Sequence, residues 1–238
     1  MDLVVAFELH SPKGIRESIS AGTSPTALID GKRPVDILIE MYTRSPQFAP
    51  CLRALLDAGA TVDDPLLEAL LLDDETALRK VDDLSRRLSP LCAYTSCDGV
   101  SPLHICAEFN SVRCAKALLD AGADVNAPAA VDADGLGGQT PLFHAVNSNG
   151  NYGRPMMELL VQAGADLDVR LKGLVWGKTM PWETVLFDVT LFSYAQCGLY
   201  QQFHRREEDI YSNLAYLHQK RYGTAAAIRN VPNKYLAT

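Results

Sequence analysis

Five histidines and six cysteines are the side chains of this sequence best suited to proton transfer, nucleophilic attack or metal binding. Cys92 and Cys97 stand five apart, with His104 and Cys106 downstream. Structural zinc favours tighter pairs, with about two to four residues between ligands. Cys106 and Cys114 also fall at apolar helical positions, so no metal is expected. Asp132-Ala133-Asp134-Gly135 opens like a calcium loop, but Phe143 stands at the twelfth position, where an acidic ligand is required. Gly135-Leu136-Gly137-Gly138 follows no strand and is no dinucleotide fingerprint, and no Gly-Lys-Ser/Thr phosphate loop occurs. The run His204-Arg205-Arg206-Glu207-Glu208-Asp209 mixes a base, cations and carboxylates. It reads as a solvated linker running into a helix whose positive end favours acids. No nucleophile motif accompanies these residues. Neither a cofactor nor an enzymatic activity is expected. The alternative is a small-molecule-binding or catalytic site between the 168–189 insertion and the last repeated unit at 188–223, where aromatic residues are enriched and His144, Tyr194 and Cys197 lie near one end.

The 238 residues carry 22 Lys and Arg against 29 Asp and Glu, a net charge of −7. Such a surface repels phosphate backbones, so nucleic-acid binding is not expected. The hydrophobic fraction of 47% is that of a chain able to fill a core without disulfide staples. No long uncharged apolar run predicts a membrane span, and the first residues lack the pattern of a signal peptide. Reduced thiols in a cytoplasmic protein are the expectation for the scattered cysteines.

Positioning of these side chains falls to a repeated unit. The phrase Leu55-Leu56-Asp57-Ala58-Gly59-Ala60 returns as Leu118-Leu119-Asp120-Ala121-Gly122-Ala123-Asp124 and as Leu159-Leu160-Val161-Gln162-Ala163-Gly164-Ala165-Asp166. Ser101-Pro102-Leu103-His104 and Thr140-Pro141-Leu142 precede the last two copies. A hydroxyl can cap a helix and proline suits its first turn, while glycine just past an apolar run stops one. Each unit therefore reads as turn, helix, loop, helix and glycine stop. Ser101 to Ala123 spans 22 steps.

These paired phrases resemble the ankyrin repeat. The resemblance implies an all-α solenoid of stacked helix-turn-helix pairs joined by finger loops. It divides the chain into a half repeat at 9–24, repeats at 30–63, 64–91, 98–126, 136–168 and 188–223, and a tail at 224–238. The last repeat looks like divergent ones of bacterial ankyrin-repeat proteins. Pro102, His104, Gly122, Pro141 and Gly164 take structural places, with His104 bonding the backbone of a neighbouring turn. In the next unit Phe143 occupies the histidine place and His144 follows it.

Two fingers are lengthened. Ala123 to Thr140 spans 17 steps and Ala165 to Thr190 spans 25, where the repeat needs about 11. Both tryptophans sit in the second long finger. Phe187, Phe192, Tyr211 and Tyr216 are expected in the core of the last repeat. The family resemblance implies a non-enzymatic module, expected to be monomeric, that binds a protein or peptide through its concave face and fingers. The implied inner-helix contacts are Glu40, Met41, Glu108, Phe109, Asn147 and Ser148. The finger contacts are Tyr94, Asp98, Asp132, Asp134, Trp176 and Trp182. Their acidic and apolar character suggests a basic, partly apolar partner.

Overall fold

Short polar caps and prolines start the helices of this chain, and glycines stop most of them. The computed structural model describes residues 2–41, 43–88, 99–176, 183–197 and 206–225. Asp2 accepts the Val4 N–H at 2.9 Å and opens α1 (Leu3–Glu8). Ser11 accepts the Gly14 N–H at 3.1 Å and opens α2 (Pro12–Ser20). Each such cap contributes about 1 kcal/mol. Then come α3 (Pro34–Glu40) and α4 (Phe48–Asp57). Asp64 and Asp74 cap α5 (Pro65–Leu71) and α6 (Glu75–Leu78). The next pairs are α7 (Pro102–Phe109) with α8 (Val112–Asp120), and α9 (Pro141–Val146) with α10 (Arg154–Gln162). Two strands, β1 (Arg170–Trp176) and β2 (Thr184–Thr190), lead into α11 (Leu191–Cys197), and α12 (Glu207–Tyr222) follows.

Four second helices end alike. After α8, the Gly122 N–H reaches the Leu119 carbonyl and the Ala123 N–H reaches that of Leu118. That pair of bonds is a Schellman stop, and Gly122 takes the left-handed conformation it needs at φ 95°. The same pattern recurs at Gly22, Gly59 and Gly164.

The helices stack in two rows. The first helices pack α1 on α3, and α5 on α7 on α9 on α11; the second helices pack α2 on α4, and α6 on α8 on α10. One apolar cluster runs through the stack from Leu3 to Leu217. A fully buried leucine within it, such as Leu52, contributes about 2 kcal/mol. Asn126 ties two unit ends together, its Oδ1 accepting the Asp166 N–H at 2.7 Å.

The structure departs from expectation in three places. A helix, α1, lies ahead of residue 9 and pairs with α2. In the repeat at 64–91 the second helix is cut short: α6 is a single turn followed by a 3-10 turn at Leu84–Arg86. Asp83, left-handed at φ 52°, interrupts it. The fold is a helical solenoid, yet the second long finger is an antiparallel two-stranded sheet in which Leu171 pairs with Val189 and Gly173 with Phe187. β-Branched and aromatic residues alternate there and favour strand over loop.

Candidate functional site

His104 closes the base of the first long finger from beneath. Ser101 donates its backbone N–H to His104 Nδ1 at 3.2 Å. That contact requires a bare Nδ1 and places the proton on Nε2, which donates to the Gln139 carbonyl at 2.8 Å. Burial, with the neighbouring His144 adding to it, pushes the His104 pKa down to about 3. The ring is therefore neutral, and both nitrogens are committed to structure. Gln139 also accepts the Ala129 N–H at 2.8 Å, so one carbonyl ties α7 to both ends of the finger.

A charged chain crosses the first-helix row. Arg44, just beyond α3, pairs with Glu108 at the end of α7 through Nε and Oε1, 2.9 Å apart. His144 on α9 donates from Nδ1 to Glu108 Oε2 at 3.0 Å. The chain thus passes over the unit of α5 and α6. Burial opposes ionisation of Glu108, but Arg44 and His144 outweigh it and hold the carboxyl at about 2. The Arg44 guanidinium lies 4.4 Å above the Phe109 ring, whose centroid is 4.5 Å from that of Phe48.

Phe109, expected to face a partner, is only 4% exposed: Arg44 covers it and Phe48 packs against it. Glu40 is half-buried and paired with Lys32 at 2.5 Å. Met41 is half-buried, and its carbonyl receives the Arg44 guanidinium. Asn147 donates to the Tyr194 carbonyl at 3.3 Å. Ser148 accepts the Gly153 N–H at 2.6 Å. Of the inner-helix candidates, Glu108 and Asn147 therefore serve contacts between units, and Ser148 serves a turn. Tyr94, Asp98 and Trp182 lie outside the described residues.

The fingers are docked on one another through glycines. Ala130 donates to the Gly99 carbonyl at 2.7 Å, and Gly137 donates to that of Gly173 at 2.8 Å. A Cβ at Gly99 would lie 2.9 Å from Ala130 Cβ, and one at Gly173 would lie 2.7 Å from Leu136 Cδ2. Asp132 organises the tip between them: its Oδ1 accepts the N–H groups of Asp134 at 3.0 Å and Leu136 at 2.9 Å. Lys172 Nζ donates to the Asp134 carbonyl at 2.5 Å. At Gly137, φ is 117° and a Cβ would meet the Ala130 oxygen at 2.3 Å. Gly137→Ala is thus expected to cost about 3 kcal/mol through backbone strain and overpacking. Urea unfolding, read with amide exchange at Gly137, checks this; unchanged protection would mean that the docking contact does not hold the finger.

Trp176 is half-buried and packs against the core. Phe187, expected within that core, is instead 72% exposed on β2. Its neighbour on the same sheet face, Val185, is exposed too, as are Val131 and Leu28 on the earlier fingers. These four are the finger residues most suited to an apolar contact, and residue-by-residue reading of the loops missed them. The signal was present, since Val185, Phe187 and Val189 alternate with period two. Phe192, Tyr211 and Tyr216 are partly buried against the core.

Chemistry is scarce among the described residues. Cys51, Cys106, Cys114 and Cys197 are buried thiols. Burial pushes Cys51 and Cys114 up to about 12, and Cys197 also upward, the reverse of what a nucleophile needs. Cys197 Sγ donates to the Ser193 carbonyl at 3.3 Å, and the Tyr194 ring lies against Phe143. His144 turns its Nδ1 to Glu108. No group of three His, Cys, Asp or Glu among the described residues is placed to hold a metal ion. No described helix is long and apolar enough to cross a membrane.

The family comparison agrees with this architecture. A family model described as ankyrin repeats matches residues 47–170 in three copies. Among solved structures, the chain is similar to the ankyrin repeat domain of Bcl-3, described as a unique member of the IkappaB protein family. That likeness covers 89% of this chain and 80% of the other at 23% identity, with a TM-score of 0.39.

Proposed function

The chain belongs to the ankyrin-repeat family, and from that premise we propose that it is a non-enzymatic module holding a partner protein on its fingers and first-helix face. Ankyrin repeats generally serve protein–protein interaction. One observation carries the finer reading. Of the seven exposed large apolar side chains among the described residues, Leu28, Val131, Val185 and Phe187 stand on fingers, while Val5, Leu9 and Tyr222 do not, and the two long fingers are docked by the backbone bond from Gly137 to Gly173. Rigid presentation of apolar side chains lowers the ordering cost of association. The partner is a protein or peptide that is basic and partly apolar. The net charge of −7 and the exposed Asp132 and Asp134 support this. Glu40 and Glu108 supply less of that attraction than their positions suggest, because Lys32 and Arg44 neutralise them. Placing partner contacts on the fingers rather than on Phe109 follows from the burial of that ring.

Affinity capture from native extract, with the whole chain as bait, tests the reading. A protein retained by this chain, and by neither bare resin nor an unrelated ankyrin array, is the expected result. Failure to retain any protein would sink the module reading.

A further inference from the structure

An exposed phenylalanine on a two-stranded sheet is an unusual place to leave so much apolar surface. The register puts Phe187 directly opposite Gly173. A Cβ built at Gly173 would lie 2.7 Å from Leu136 Cδ2 and 3.5 Å from Phe187 Cδ1. Leu136 of one finger and Phe187 of the next therefore meet over that glycine. Val131 adjoins this surface: its Cγ2 lies 3.3 Å from a Cβ built at Gly138, and Leu171 Cδ2 lies 3.9 Å from the same point. Gly173, Val185 and Phe187 share one sheet face, because paired residues project together and alternate residues follow them, whereas Leu171 and Val189, beyond the left-handed Asp188 at φ 55°, are buried. Lys172 alternates to the other face from Gly173, but its Nζ reaches round to the Asp134 carbonyl; Arg170 is paired with Asp188.

The charged residues at the finger tip are Asp132 and Asp134, both exposed, and Lys172, whose Nζ sits on the Asp134 carbonyl, so the tip carries two acids and one cation. Asp132 is held in place by the two backbone N–H groups it accepts, so its charge has a fixed position. A fixed acid beside a fixed apolar surface selects by charge as well as by burial. An acidic partner would be repelled, and an uncharged apolar one would gain nothing from the rim.

We propose that the Val131–Leu136–Phe187 surface seats a short peptide segment of the partner in which a bulky apolar side chain is flanked by lysine or arginine. The apolar residue covers Phe187 and Leu136, and the cation meets Asp132 and Asp134. The site lies across two fingers and exists only while they are docked through Gly137 and Gly173. It rests on the interaction-module reading and gives that reading a location and a ligand chemistry.

The test pans a random dodecapeptide display library against the full chain and measures enriched, labelled peptides by fluorescence anisotropy. Enrichment of Phe, Leu or Trp next to Lys or Arg is expected. Phe187→Ser is expected to weaken those peptides tenfold or more, while Phe187→Leu restores most of the affinity. Asp132→Asn keeps the turn acceptor and removes the charge; it is expected to weaken binding about fivefold at low salt and little at high salt. Thermal unfolding of each variant shows that the fold is kept. An empty selection, acidic consensus peptides, or affinities indifferent to both Phe187→Ser and Asp132→Asn would each overturn the site. Captured protein that binds Phe187→Ser as well as the parent would overturn this seat and leave the module reading standing. Absence of any captured protein would remove the module reading itself.

Discussion

Replacing His104 with alanine is expected to lower the unfolding free energy by about 3–5 kcal/mol, as for a buried side chain whose loss leaves a cavity and unpaired polar groups. The Ser101 N–H and the Gln139 carbonyl both lose the partner seen at 3.2 and 2.8 Å. Urea unfolding at neutral pH measures the loss; a change below 1 kcal/mol would mean water replaces the imidazole without cost. The same ring sets an acid limit. Its folded pKa of about 3 lies below the ordinary 6.5, because burial, reinforced by His144, disfavours the charged form. The unfolded chain therefore takes the proton first as pH falls. The contribution is complete above pH 6.5 and is lost progressively toward pH 3, at most on the order of 4–5 kcal/mol. His10 acts in the same direction down to about 4, through burial and then the charge of Arg44. Stability curves of His104→Ala are expected to fall less steeply than the parent's across that window. Parallel curves would refute the assignment.

Arg44→Ala is expected to cost about 2–3 kcal/mol, toward the lower end of values for breaking a buried pair. The side chains of Arg44 and Glu108 are 15% and 34% exposed, so solvent screens part of their attraction. Loss of Arg44 also uncovers Phe109. Glu108 provides the sign check. Its carboxyl is held at about 2 against an ordinary 4.5, burial being outweighed by Arg44 and His144. The stability this confers is present above pH 4.5 and lost as pH falls toward 2. Without Arg44 that acid loss shrinks. A double-mutant cycle of Arg44→Ala and Glu108→Gln is expected to show about 1–2 kcal/mol of coupling. Additive effects would mean that the pair forms no energetic link across the short unit.

The helical units were legible wherever local chemistry specifies them. Pro102, Pro141, Gly122 and Gly164 mark starts and stops that depend only on neighbouring backbone, and the helices begin and end beside them. α1 is six residues long, too short for a helical period to stand out, although Asp2 is a good cap. The strands were hidden in an insertion because Gly173 and Gly177 read as loop punctuation. Gly173 in fact permits a close approach between fingers. The Arg44–Glu108–His144 chain was not legible, since it depends on how a shortened unit brings its neighbours together. For the same reason Phe109 was read as a contact residue, when Arg44 covers it.

The buried thiols make the native sequence its own stopwatch. Cys51 lies in α4, Cys106 in α7, Cys114 in α8 and Cys197 in α11. A thiol-specific reagent attacks the thiolate; all four thiols are shielded, and burial also holds Cys51, Cys114 and Cys197 back from ionising. Alkylation must then wait for the surrounding helices to part, so each cysteine's labelling rate reports the opening free energy of its own stretch of the array. A mass-spectrometric time course on the unmodified chain turns the order of modification into a map of which units separate first. Partner binding, by tightening some units and leaving others free, would be written into the same record without a single engineered probe.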